Sequence, residues 1–92
     1  MVKTELTVRS EQGLHARPAD LFVRTANRFN SDIRLRNLTS GSDAVNAKSI
    51  LRVIALGVYN GHRVEVSASG GDEREAIRAI TRLIESNFEA QA

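Results

Sequence analysis

Apolar and polar residues alternate in three stretches of the chain. Val2, Thr4, Leu6 and Val8 alternate with Lys3, Glu5, Thr7 and Arg9. Ile33 and Leu35 alternate with Arg34 and Arg36, and Val64, Val66 and Ala68 with Arg63, Glu65 and Ser67. A period of two predicts half-buried strands. A fourth short strand, Ala44-Val45-Asn46, follows the turn residues Thr39 to Asp43. Between the strands the period changes. Ala19, Phe22, Val23, Ala26 and Phe29 recur at helical spacing, with Asp20, Arg24 and Asn27 opposite them, which predicts a helix from about Ala16 to Phe29. Pro18 fits only its first turn, so His15 falls at or beside the N-cap. Ser49 to Leu56 reads as a short apolar helix closed by Gly57, and Asn60-Gly61 as a turn. After Gly70-Gly71, Asp72 and Glu73 open a last helix whose apolar face is Ile77, Ile80, Ile84 and Phe88.

The order is β-α-β-β-α-β-α. Strands that all alternate predict an α+β fold, an open-faced β-sandwich: a four-stranded antiparallel sheet, wet on one face and covered on the other by three helices. With no repeat, low-complexity tract or linker, residues 1–92 are expected to form one domain.

Composition narrows the chemistry. Hydrophobic residues make up 41% and charged residues 26% of the chain, ordinary values for a globular protein. A domain of 92 residues buries only roughly 60–65% of its unfolded surface, so chemistry is expected on the surface and not in a deep cavity. The absence of cysteine removes disulfides, thiolate metal sites and thiol nucleophiles. The first residues have no signal-peptide core and no stretch is long and apolar enough to span a bilayer, so a cytoplasmic location is expected. The net charge is +2, but acids and bases are interspersed and aromatics are 4%. A nucleic-acid binder would show a basic stripe with stacking aromatics, so none is expected as a partner.

The segment Gly13-Leu14-His15-Ala16-Arg17-Pro18-Ala19 carries the candidate chemistry. An imidazole is a working nucleophile at neutral pH. At a helix start it lies beside unpaired backbone N–H groups, here those of Ala16 and Arg17, which suit an incoming dianion; Pro18 has no N–H to add. Arg17 adds a guanidinium fork, and the two alanines keep the approach open. A helix terminus stabilises a nearby anion by about 0.3–1 kcal/mol, and up to about 2 in good geometry. That shifts an equilibrium by about tenfold, which suits a group that must be passed on. No nucleotide cradle, metal-ligand cluster or grouped acids accompany His15, so no metal and no cofactor is expected. An isolated histidine at a helix start is ordinarily a simple capping residue. It is the seven-residue context that points to phosphoryl exchange.

That segment resembles the active-site signature of HPr, the histidine-containing phosphocarrier family of the bacterial phosphoenolpyruvate-dependent sugar phosphotransferase system. The resemblance runs on through Val45-Asn46-Ala47-Lys48-Ser49-Ile50, Leu56-Gly57, Gly61, Ser67-Ala68-Ser69-Gly70 and Asp72-Glu73. It implies that His15 takes phosphate on Nδ1 from enzyme I and gives it to an enzyme IIA, assisted by Arg17, as a relay carrier and not a stand-alone enzyme. It also implies a regulatory role for Ser49, the position that a serine kinase modifies in many relatives; physically, Ser49 is already a good N-cap. Leu51 and Ile54 correspond to partner-facing positions. With Ile50, Arg52, Asp20 and Arg24 they form the expected docking surface.

Three departures bear on partner choice: Arg52 where the family has a small residue, Asp20 one turn past His15, and a turn from Asn37 to Asp43 longer by about three residues. The alternatives to sugar uptake are a nitrogen-related branch, a dihydroxyacetone kinase branch, or an HPr-like regulatory binding module. A monomer is the expected state for a carrier that hops between partners. His62, in a turn, reads as a solvated residue with no role. Arg74, Arg78 and Arg82 form a like-charged row on the last helix, partly offset by Glu75 and Glu85, and read as a solvated face.

Overall fold

The computed structural model describes residues 1–89; residues 90–92 of the expected unit lie outside it. The elements are β1 (Val2–Thr7), α1 (Ala16–Asn27), β2 (Asp32–Asn37), β3 (Val45–Asn46), α2 (Ile50–Ala55), β4 (Arg63–Ser69) and α3 (Glu73–Glu85). All pairings are antiparallel, and the sheet order is β1-β4-β2-β3. The alternation sets which face is covered. In the central pair, Ile33 lies opposite Ala68, Leu35 opposite Val66 and Asn37 opposite Val64, and all six are buried. Outward residues carry the charge: Arg36 lies opposite Glu65, and Arg63 pairs with Glu5.

The helices close the inner face with Phe22, Ala26, Val53, Ile80, Leu83 and Ile84, among others. This is the four-stranded open-faced sandwich with three helices that the alternation predicts. Local ends differ from expectation. α1 stops at Asn27, short of Phe29, and its buried side includes Thr25. The Asn27 amide donates to the Val23 and Lys48 carbonyls (2.9 and 3.2 Å), and Lys48 Nζ donates to the Phe29 carbonyl at 2.7 Å. These bonds hold the segment before α2 against the end of α1. Phe88 lies beyond α3, not on it. Asn87 and Phe88 adopt left-handed backbone (φ 58° and 64°), Phe88 N–H donates to the Leu83 carbonyl, and the ring turns back into the core.

The long loop after β2 is organised by Asn37, which is fully buried. Its Oδ1 accepts from Thr39 N–H and Ser40 N–H, and its Nδ2 reaches the Gly57 carbonyl and His62 Nδ1. His62 is therefore not a solvated turn residue. It is half-buried and hydrogen-bonded, because the loop that carries it folds over the end of β2. The arginine row of α3 is exposed, as expected, but none of its members makes an ion pair with Glu75 or Glu85 among the described residues. Nor is any helix among them long and apolar enough to cross a membrane.

Candidate functional site

The approach to α1 is fixed by a close passage of two loops. Gly13 N–H bonds to the Ser10 carbonyl and Leu14 N–H to the Val58 carbonyl, both at 2.9 Å, while the Leu14 side chain is fully buried. Gly13 has φ +63°, and a Cβ there would lie 2.2 Å from Val58 O and 2.7 Å from Tyr59 Cα. No side chain fits, so glycine is what allows the 10–14 loop to lie on residues 58 and 59.

His15 then emerges as the N-cap of α1, with extended backbone and half-buried. Its side chain does not cap the helix. The imidazole instead stacks on Tyr59, with ring centroids 5.1 Å apart and planes at 26°, and its Nδ1 lies 3.1 Å from the Gln12 carbonyl oxygen. A carbonyl can only accept, so Nδ1 carries a hydrogen in this pose. For Nδ1 to act as the nucleophile that the sequence resemblance implies, this contact has to open.

The start of the helix is otherwise open. Ala16 adopts φ +50°, left-handed backbone that disfavours any side chain with a Cβ. The N–H groups of Ala16 and Arg17 have no partner among the described residues, the first turn contains no acid, and the Arg17 side chain is exposed and unpaired among those residues. Asp20 does not direct its charge at this site: its carboxylate is held by Arg24 Nε at 3.0 Å, one turn along.

Across from α1, Ser49 caps α2 by accepting from Arg52 N–H at 3.4 Å. Only Val53 of that helix is buried. Leu51 is 77% exposed, and Ile50 and Ile54 are each 38% exposed. Arg52 and Arg34 line one shallow hollow with Ser49.

Residues 2–86 match the family model described as the PTS HPr component phosphorylation site. The chain belongs to the HPr family. It is 44% identical over 80 residues to the multiphosphoryl transfer protein of Escherichia coli O157:H7, a match covering 87% of this chain and 21% of that protein. The chain thus spans about a fifth of the length of such relatives. Among solved structures it resembles HPr-C-His from Thermoanaerobacter tengcongensis, at 44% identity and a TM-score of 0.92 over 100% of both chains. A structure described as an HPr dimer from the same organism is 46% identical, with a TM-score of 0.75 over 98% of this chain and 100% of that one.

Within this HPr fold the structure brings together His15, Ala16 and Arg17 at one helix start, and Ser49, Ile50, Leu51, Arg52 and Ile54 on α2. Asp20 and Arg24 face solvent from α1 as a pair bonded to each other. Sequence reasoning missed Gln12 and Tyr59. The one signal for Tyr59 was that the chain's single tyrosine stands in a turn, where an exposed ring has no core to join. Gln12 had none, since it acts through its backbone carbonyl.

Proposed function

We propose that this chain is a phosphocarrier in which His15 accepts a phosphoryl group from enzyme I and donates it to an enzyme IIA. In the first step a lone pair of a His15 ring nitrogen attacks phosphorus, and the bond to the donor atom breaks with its electron pair leaving on the donor. In the second the acceptor's nucleophile attacks phosphorus, and the electron pair of the N–P bond returns to the His15 ring. The nitrogen that accepts must be free of hydrogen, so the Nδ1 hydrogen passes to solvent and Nε2 carries the single N–H of the neutral ring, taken from solvent, when Nδ1 attacks. The reading rests on one observation above all: a nucleophilic imidazole at a helix start whose amides and neighbouring guanidinium are unpaired among the described residues. Those groups would meet the phosphoryl oxygens with charge-assisted hydrogen bonds. The hold is modest, in keeping with transfer in both directions.

In this reading residues 1–92 act as one monomeric carrier unit in the cytoplasm, in the service of sugar uptake. Ile50, Leu51 and Ile54, with Asp20, Arg24 and Arg52 around them, form the docking surface for enzyme I and enzyme IIA. Ser49 is the regulatory position, and a serine kinase would be the third partner. A phosphate there would lie at the start of α2 beside Arg34 and Arg52, and would turn the docking surface negative.

The test is incubation with enzyme I and labelled phosphoenolpyruvate. The expected product is an acid-labile, base-stable phosphate on the wild type and none on His15→Ala, whose fold is unchanged by circular dichroism. Failure of the wild type to take label overturns the reading.

A further inference from the structure

Tyr59 is 59% exposed and its hydroxyl makes no hydrogen bond among the described residues, so its polar end does nothing for the fold. Its ring is nonetheless met by two other rings, and its backbone is held as well. One face lies against the His15 imidazole at 5.1 Å. The ring of His62 meets it edge-on, at 5.7 Å and 87°. Its backbone N–H donates to His62 Nδ1 at 3.2 Å, and that nitrogen is also 3.2 Å from the Nδ2 of fully buried Asn37. Both contacts are donors to Nδ1, so it acts as an acceptor and Nε2 holds the hydrogen of the neutral ring. On the other side, the Gly13 passage pins the Tyr59 backbone to the loop that delivers His15. A line of contacts therefore runs from the core through Asn37, His62 and Tyr59 to the imidazole.

We propose that Tyr59 is a positioning residue for His15, fixing the plane of the imidazole in which phosphoryl exchange takes place. The proposal rests on the phosphocarrier reading and adds to it a residue outside the signature segment. A phosphoryl group attaches in the ring plane, at a nitrogen, so a stacked neighbour occupies the one direction the reaction does not use. Stacking leaves one rotation without loss of the contact, a half-turn about the Cβ–Cγ bond. That half-turn exchanges Nδ1 with Cδ2 and takes Nδ1 off the Gln12 carbonyl. Rotations that tilt the ring out of plane forfeit the stack, which biases ring populations by about two- to tenfold. His62 acts one step further back, by holding the Tyr59 backbone.

The experiment compares Tyr59→Ala and Tyr59→Phe with the wild type. Tyr59 is exposed, so both variants fold. The 15N signals of the His15 ring in the free protein are expected to report hydrogen on Nδ1 in the wild type and in Tyr59→Phe. Tyr59→Ala is expected to lose that signature and the upfield ring-current shift of the imidazole protons. With enzyme I and phosphoenolpyruvate, kcat for Tyr59→Ala is expected to fall about three- to tenfold with KM little changed, and Tyr59→Phe to stay within about twofold. An alanine variant that keeps both the ring signature and kcat overturns the proposal. So does a loss confined to KM with the ring signature intact, which would make Tyr59 a docking residue only. A wild type that takes no label overturns the phosphocarrier reading instead, and the ring signals still decide whether Tyr59 holds His15.

Discussion

The starts of α1 and α3 obey the same electrostatics and are used in opposite ways. Each is preceded by a glycine whose place no side chain could share: Gly13 lies against Val58 and Tyr59, and Gly70 against Ser31, where a Cβ would come within 2.6 Å of Oγ. Each helix presents unpaired amides and positive partial charge to whatever lies before it. At α3 the chain supplies its own negative charge, with acids at the N-cap and in the first turn, although the Asp72 side chain bonds no amide of the helix. Glu73 reaches back to accept from Gly70 N–H at 3.0 Å, and Asp72 accepts from Asn30 N–H, Ser31 N–H and the Ser31 hydroxyl. At α1 there is no acid in the first turn, the N-cap side chain points elsewhere, and the first residue is held in left-handed backbone. The start of α3 already carries carboxylates, which are tied to amides outside the helix, while the start of α1 carries none and keeps its donors and a guanidinium for an anion that arrives and leaves.

Placing at α1 the kind of charge that α3 already has should give the largest effect. Arg17→Glu removes a charge-assisted donor and sets a carboxylate against the incoming phosphoryl group. The rate of phosphate acceptance from enzyme I is expected to drop about a hundredfold, with an unchanged circular dichroism spectrum. A variant that accepts phosphate at the wild-type rate would show that the two helix starts do not differ in function.

At α3 the effect should appear in stability and its pH dependence, not in transfer. The Ser31 hydroxyl, followed by the Asn30 and Ser31 amides, holds the Asp72 carboxyl below the usual carboxylate range. The Gly70 amide, with the N-terminal ammonium, does the same for Glu73. Both groups are lowered in the folded state, so the stability they contribute is present at neutral pH. It is lost as pH falls below the ordinary carboxylate value of about 4 and through the lower folded values. Thermal unfolding followed from pH 7 to pH 2 should show Asp72→Asn with a lower Tm at neutral pH and a flatter acid limb, at an unchanged rate of phosphate acceptance. A wild-type acid limb in that variant would remove Asp72 from the account.

The smallest effect concerns the left-handed residue of α1. In Ala16→Gly the backbone penalty at φ +50° disappears, offset in part by the greater freedom of glycine in the unfolded chain. A net stabilisation of about 0.5–1 kcal/mol in urea unfolding is expected. Equal stability of the two forms would mean that Ala16 carries no strain at this helix start.

Much of this architecture could be read before any coordinates. Alternation in Val64-Glu65-Val66-Ser67-Ala68 and in Ile33-Arg34-Leu35-Arg36 located the two central strands, because a strand's side chains take opposite faces whatever it pairs with. The signature from Gly13 to Ala19 located His15 and Arg17 at a helix start, and Ser49 was legible as a cap from its place before an apolar run. Helix ends were legible less well. Phe29 and Phe88 have the right spacing for α1 and α3, yet each chain segment turns before reaching them, since hydrogen bonds from Lys48 and to Leu83 hold those turns.

What the amino-acid order determined by itself is therefore local: the period of each element, the cap, the breaking glycines, and the residue types placed at the start of α1. What only the tertiary structure decided is what surrounds the imidazole. Tyr59, the Gln12 carbonyl and the His62–Asn37 link come to His15 because the 10–14 loop crosses residues 58 and 59 at backbone contact distance. Periodicity reports which face of an element is buried, and it carries no record of which distant loop will lie across the element's end.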